Sequence, residues 1–194
     1  TLTLTLTLTL TLTLNPNQAK ESFRELAPAA AKAATGATDD PKTRAFFLGM
    51  LFDARGAEEP FGAELRRIAA NINRKLKRDA VKALIAPLKG TGRALVKVFR
   101  PGGNFGEYSQ VTDLDRGTLV CDELDAAAMC AEEVARFPKS PAELKLVFAD
   151  NRMRADFDAD SRGGYRDVLT LARCKGHICE VQINLNALVK IKRV

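Results

Sequence analysis

A chain of 194 residues is long enough for one domain with a helical appendage, and buries a core without disulfides or a metal. Hydrophobic residues at 46% and charged residues at 28% exclude a disordered chain, and no apolar run approaches the roughly 18 to 20 residues of a membrane span. Thirty Lys and Arg against 24 Asp and Glu leave a net charge of +6, which favours an anionic partner such as a nucleotide, RNA or an acidic protein without choosing among them.

In chain order, residues 1–14 are a strict Thr-Leu alternation unlike anything downstream. The stretch reads as an appended or placeholder sequence, or as an amphipathic edge strand, and carries no functional weight. Residues 15–86 are predicted to be a helical region. Asn15-Pro16-Asn17 is a start signal, an Ala-rich helix follows to about residue 34, and the chain breaks over 36–41. A second helix is predicted over 42–52, then a turn through Gly56 and Pro60. A third is predicted over 61–86, where Leu65, Ile68, Ile72, Leu76, Ala80 and Leu84 recur at helical spacing. Its opposite face is basic: Arg66, Arg67, Arg74, Lys75, Lys77, Arg78 and Lys82. Without interleaved aromatics to stack on bases, that face is read as solvated rather than as an RNA surface.

From Pro87 the period changes to two, and residues 87–194 are predicted to form the sheet-containing domain that the helical region precedes. Strands are expected over 94–99, 117–121 and 143–149, with a helix over 124–136 ended by Pro138. A hairpin of 165–174 and 177–184 closes the domain about Lys175-Gly176. The fold class is therefore α/β (α+β), a mixed sheet of about five strands flanked by helices.

In that hairpin Cys174 faces His177, and outward counting sorts the residues by face. One face carries Val168, Thr170, Ala172, Cys179, Val181 and Ile183 and reads as a packing surface. The other gathers Tyr165, Asp167, Glu180, Gln182 and Asn184, an unusual set for a purely solvated face. Cys174, His177 and Cys179 point to the apolar side and read as packing rather than as zinc ligands. A single histidine on that side leaves no Ser-His-Asp or Cys-His arrangement. Four cysteines without Cys-x-x-Cys spacing suit a soluble protein in a reducing compartment, with the organelle not legible.

Ahead of the sheet, PLKGTGRALVKVFR sets Lys89, Arg93 and Lys97 at intervals of four, a row suited to a polyphosphate if helical. In QVTDLDRGTLVCD, Asp113 and Asp115 stand just before a strand, a place where a carboxylate holds hydrated magnesium against phosphate oxygens. Lys89 and Lys97 in K-x7-K, Asp113-Leu114 before GTLVCD, Gly164-Tyr165 and Glu180-Val181-Gln182-Ile183 follow in that order. Together they resemble the synthetase domain of the RelA/SpoT family, with its nucleotidyltransferase-like fold, over about residues 87–186.

The resemblance implies magnesium-dependent transfer of the pyrophosphoryl group of ATP to the 3′-hydroxyl of GDP or GTP, which is alarmone synthesis. It implies that Lys89, Arg93 and Lys97 neutralise ATP phosphates, with Arg152 as a further phosphate contact. Asp113 would bind Mg2+, Glu180 would share the metal or accept the hydroxyl proton, and Tyr165 would stack on the acceptor base beside Asp167 and Gln182. Four positions depart from the family's pattern. Arg166-Asp167 follow Gly164-Tyr165 where Ser and His are usual, Thr118 replaces the arginine of the first strand, and Asn184 stands where a basic residue often follows Glu-x-Gln. These departures support an alternative, a catalytically silent relative serving as a structural subunit of a larger protein assembly. An RNA-binding regulator ranks third.

Overall fold

The computed structural model describes residues 41–90, 94, 111–136, 138, 143–160 and 163–191. The Thr-Leu repeat, the helix expected over 15–34, and Arg93 and Lys97 lie outside them. Helix α1 (Pro41–Leu76) leads into strand β1 (Val81–Ile85), β2 (Asp115–Cys121), helix α2 (Leu124–Ala135), β3 (Lys145–Asn151), β4 (Val168–Cys174), β5 (His177–Leu185) and the short helix α3 (Asn186–Ile191). No helix among the described residues is long and apolar enough to cross a membrane.

The two helices expected on either side of Gly56 and Pro60 are one helix of 36 residues with Pro60 inside it. Proline in a helix interior removes a hydrogen bond and crowds the preceding turn, at about 3 kcal/mol. The apolar stripe nevertheless runs straight through: Phe47, Ala54, Ala57, Phe61, Leu65, Ile68 and Ile72 are all buried. Burial of that continuous stripe outweighs the single break, because each large side chain in it contributes about 1.5–3 kcal/mol.

The helix also ends earlier than its periodicity predicts. Lys77 adopts φ 54 and the Arg78 N–H donates to the Asn73 carbonyl at 3.2 Å, the six-to-one bond of a left-handed helix cap. Ala80 and Leu84 keep helical spacing with the stripe only by coincidence, since 81–85 is strand. The Asn73 side chain holds this corner: Oδ1 accepts from the N–H groups of Ala80 at 3.0 Å and Val81 at 2.8 Å, while Nδ2 donates to the Val81 carbonyl at 2.9 Å. Asn73→Ala leaves two backbone donors at buried residues without that acceptor. It is expected to lower unfolding stability by about 2–3 kcal/mol, read from the urea midpoint at unchanged slope.

The sheet order is β1-β2-β5-β4-β3, with β2 and β5 parallel and every other pair antiparallel. The strand expected from residue 94 is not one at that position: Ala94 is helical, its N–H bonded to the Gly90 carbonyl at 3.1 Å. The remaining residues of 94–99 lie outside the described ones. At the hairpin Lys175 has φ 46 and Gly176 φ 87, so both turn residues are left-handed, and Cys174 pairs with His177 as counted.

Helices α1 and α2 cover one face. Their apolar residues join Leu119, Cys121, Ala172, Cys174, Cys179, Val181 and Ile183 in one core. Gly117 marks how closely α1 approaches: a Cβ there would lie 2.3 Å from Leu65 Cδ1. By strand alternation Arg116, Thr118, Glu180 and Gln182 occupy the opposite face. Part of the basic row is matched internally: Arg67 and Lys75 of α1 pair with the buried Glu133 of α2, and Arg78, just past the end of the helix, pairs with Glu123.

Candidate active site on the open face of the sheet

Register places the polar residues row by row. In the parallel β2–β5 pair, Arg116 lies beside Glu180, Thr118 beside Gln182 and Val120 beside Asn184. Across β5, Glu180 faces Leu171 and Gln182 faces Leu169 of β4. Each lateral step is about 4.8 Å, so these side chains share one patch. Glu180 is half-buried, and its Oε1 accepts from Gln182 Nε2 at 2.9 Å.

Asp113 lies in the segment that leads into β2, two residues before its first residue. Buried Val111 and Leu114 pack against Phe47 and Ala54 of α1 and fix that segment on both sides of the carboxylate. Residues 86–89 run alongside it, with the Ala86 N–H on the Arg116 carbonyl at 3.1 Å and the Lys89 N–H on the Leu114 carbonyl at 2.9 Å. This pairing delivers Lys89 Nζ to Asp113 Oδ2, and the two form a close ion pair. Lys89 and Asp113 are therefore brought together, while Arg93 and Lys97 lie outside the described residues.

The third group sits where the chain enters β4. The Tyr165 hydroxyl donates to Asn184 Oδ1 at 2.9 Å, tying the ring to β5. Beneath it Asp167 is fully buried, with Arg152 Nη1 at 3.3 Å from its Oδ1. Arg152 Nε also donates to Asp150 Oδ2 at 2.9 Å, so this guanidinium is held between two carboxylates. Arg166 donates to the carbonyls of Arg154 at 2.7 Å and Phe157 at 3.1 Å, which fastens the 152–157 turn to the start of β4. Burial, and next the Asp167 carboxylate, push the Tyr165 phenol up to about 12. The phenol therefore keeps its proton at physiological pH.

No family model and no curated protein sequence matches the chain. Solved structures do. Small alarmone synthetase 1 from Bacillus subtilis, bound to its product pppGpp, superposes with a TM-score of 0.57 at 17% identity over 79% of each chain. A GTP pyrophosphokinase family protein from Streptococcus pneumoniae gives 0.57 at 13% identity, over 80% of this chain and 76% of that one. The Type VI effector Tas1, solved in complex with its immunity protein, gives 0.52 at 23% identity over 78% of this chain and 66% of that chain. The chain has the alarmone synthetase fold.

Within the alarmone synthetase fold, Arg116 is the site-face residue that motif reading passed over. The signal was available: once Thr118 is placed on the open face, period two puts Arg116 there too. Asp115, singled out with Asp113, points the other way, into the core at 1% exposure. Burial, with Glu58 adding to it, raises its carboxyl to about 7. His177 is likewise buried on the core side, and desolvation lowers it to about 4.

These two groups pull stability in opposite directions with pH. Asp115 holds its proton in the fold between its unfolded value of 3.8 and about 7, so its contribution is present at low pH and lost as pH rises through that window. His177 is less protonated in the fold than in the unfolded chain between about 4 and 6.5, so its contribution is present above 6.5 and lost as pH falls. Asp115→Asn is expected to leave a stability that climbs from pH 4 to 6.5, and His177→Gln one that declines from pH 4 to 7. Urea titrations at each pH check both slopes.

Proposed function

We propose that the protein is a nucleotide pyrophosphokinase that transfers the pyrophosphoryl group of ATP to the 3′-hydroxyl of a purine nucleotide, with a guanine nucleotide as the acceptor. The observation that carries this reading is the placement of Glu180 beside Arg116 on the open face of an alarmone synthetase sheet. The segment leading into β2 carries the Lys89–Asp113 pair, and the Tyr165 hydroxyl meets Asn184, four residues along β5 from Glu180. Structures of the B. subtilis protein with pppGpp and with AMPCPP support a nucleotide site in this fold.

In this scheme Glu180 accepts the proton of the 3′-hydroxyl while that oxygen attacks the β-phosphorus of ATP. The bond from the β-phosphorus to the bridging α,β oxygen breaks, and AMP departs with the negative charge. Gln182 holds the Glu180 carboxylate in place, and Lys89, Arg93 and Lys97 are assigned to the phosphates. Tyr165 stacks on the acceptor base, positioned by Asn184 from the side and by Asp167 and Arg152 from below. Both of these last residues are already engaged with each other, which favours a positioning role over direct phosphate contact.

Among the described residues no group of three or more His, Cys, Asp or Glu side chains forms a metal cage. Magnesium does not require one, because it is commonly held by one or two carboxylates together with substrate phosphates and water. The hard oxygen donors of Asp113 and Glu180 fit that demand, and Mg2+ bound there would neutralise charge on the transferring phosphates.

The deciding experiment incubates the protein with magnesium, ATP and each purine nucleotide, followed by chromatography of the nucleotides. A pyrophosphorylated acceptor and AMP in equal amounts are expected, with product lost in Asp113→Ala. ATP left intact with every acceptor would favour the silent structural subunit. Asn184→Ala is expected to raise the acceptor KM by about tenfold with a smaller change in kcat, since it frees the stacking ring without touching the reacting atoms.

A further inference from the structure

The phosphate-binding role proposed above falls on cations, and two of those named so far are already matched. Lys89 is ion-paired with Asp113, and Arg152 is held between Asp150 and Asp167. Arg116 differs. It is half-buried, so its position is fixed by the strand, and it makes no ion pair among the described residues.

Its direction follows from its neighbour. Gly117 faces Leu65 and Phe61 of α1 so closely that no side chain fits there, and consecutive strand residues point to opposite faces. Arg116 therefore projects from the open face, one lateral step from Glu180. Thr118 projects from the same face two residues further on, beside Gln182. It is the position at which the sequence resemblance leads one to expect an arginine, and here it carries no charge.

We infer that Arg116 is a further residue that grips the polyphosphate of the donor nucleotide, from the row of the sheet that Glu180 occupies. A guanidinium is charged at every working pH and offers parallel N–H donors matched to paired phosphate oxygens. Beside Glu180 it meets the β- and γ-phosphates rather than the nucleoside. The inference rests on the nucleotide reading above and adds the residue that discriminates a triphosphate from a monophosphate.

The test measures dissociation constants of ATP and AMP for the whole protein in magnesium by equilibrium dialysis. Arg116→Ala is expected to weaken ATP by about 10- to 100-fold, the usual worth of a charged hydrogen bond, and to leave AMP within about twofold. Arg116→Lys recovers part of the loss, and the exchange Arg116→Thr with Thr118→Arg recovers part of it as well, because the cation stays on the same face. Equal weakening of ATP and AMP would mark a merely structural role and overturn the inference. ATP affinity unchanged in Arg116→Ala, with turnover intact, would overturn it while leaving the pyrophosphokinase reading standing. Failure of the unaltered protein to bind ATP at all would overturn both. Thermal unfolding of each variant shows whether the fold survives, and Arg116→Lys carries the test if the alanine variant does not.

Discussion

Glu180→Gln is expected to lower the rate of pyrophosphoryl transfer by about 100- to 10,000-fold, the range in which a positioned general base contributes. The substitution is chosen because it changes little else. A glutamine of the same shape keeps an oxygen at the position that accepts from Gln182 Nε2 at 2.9 Å, and leaves the pairing of β2, β5 and β4 intact. What it removes is the negative charge and the capacity to take a proton. The kcat should therefore collapse while MgATP affinity, to which the carboxylate contributes through Mg2+, falls by the smaller factor. Single-turnover rates with saturating ATP and acceptor separate the two. A rate that survives in Glu180→Gln would assign the base to another residue, and loss of binding in parallel with rate would mean that the carboxylate serves chiefly to hold substrate.

The second large effect concerns the scaffold. Leu65→Ala is expected to cost about 2–5 kcal/mol, because the side chain is wholly buried between α1 and the sheet and leaves a cavity. Gly117→Ala is expected to cost about 1–3 kcal/mol for the opposite reason: its methyl would arrive 2.3 Å from Leu65 Cδ1, with Phe61 Cε1 and the Leu84 carbonyl at 3.4 Å blocking escape. The double variant should be less destabilised than the sum of the two, by at least about 1 kcal/mol, since Leu65→Ala removes the atom with which the new methyl collides. Urea unfolding of the four proteins measures the coupling. Strict additivity would show that α1 and β2 are not in the close approach that sends Arg116 to the open face.

The hairpin was legible because Lys175-Gly176 fixes its register and alternation then sorts every residue, from buried Val181 to the Glu180–Gln182 pair. Strand β2 and helix α2 were legible for similar local reasons. The long helix was not. Gly56 and Pro60 carry the sequence signal of a turn, and only the tertiary burial of Phe61, Leu65 and Ile68 explains why the helix continues through it. Its end was misplaced because Ala80 and Leu84 extend the stripe by spacing, whereas the stop is set by Lys77 and by the Asn73 side chain. A lysine with positive φ has no sequence signature. In the site, Asp113, Glu180 and Tyr165 were expected from motif, while Arg116 belongs to no motif and follows only from strand alternation, which Gly117 and the pairing with β5 fix.

The central claim is that Asp113 and Glu180 serve one cation and one triphosphate on the open face of the sheet. A crystal structure with magnesium and a non-hydrolysable ATP analogue tests it most directly. The expected result is a metal coordinated at about 2.0–2.1 Å by oxygens of Asp113 or Glu180 and of the β- and γ-phosphates, with those phosphates beside Arg116. Electron density for the analogue on the α1 face, or bound at the open face with both carboxylates turned away from metal and phosphate, would contradict it.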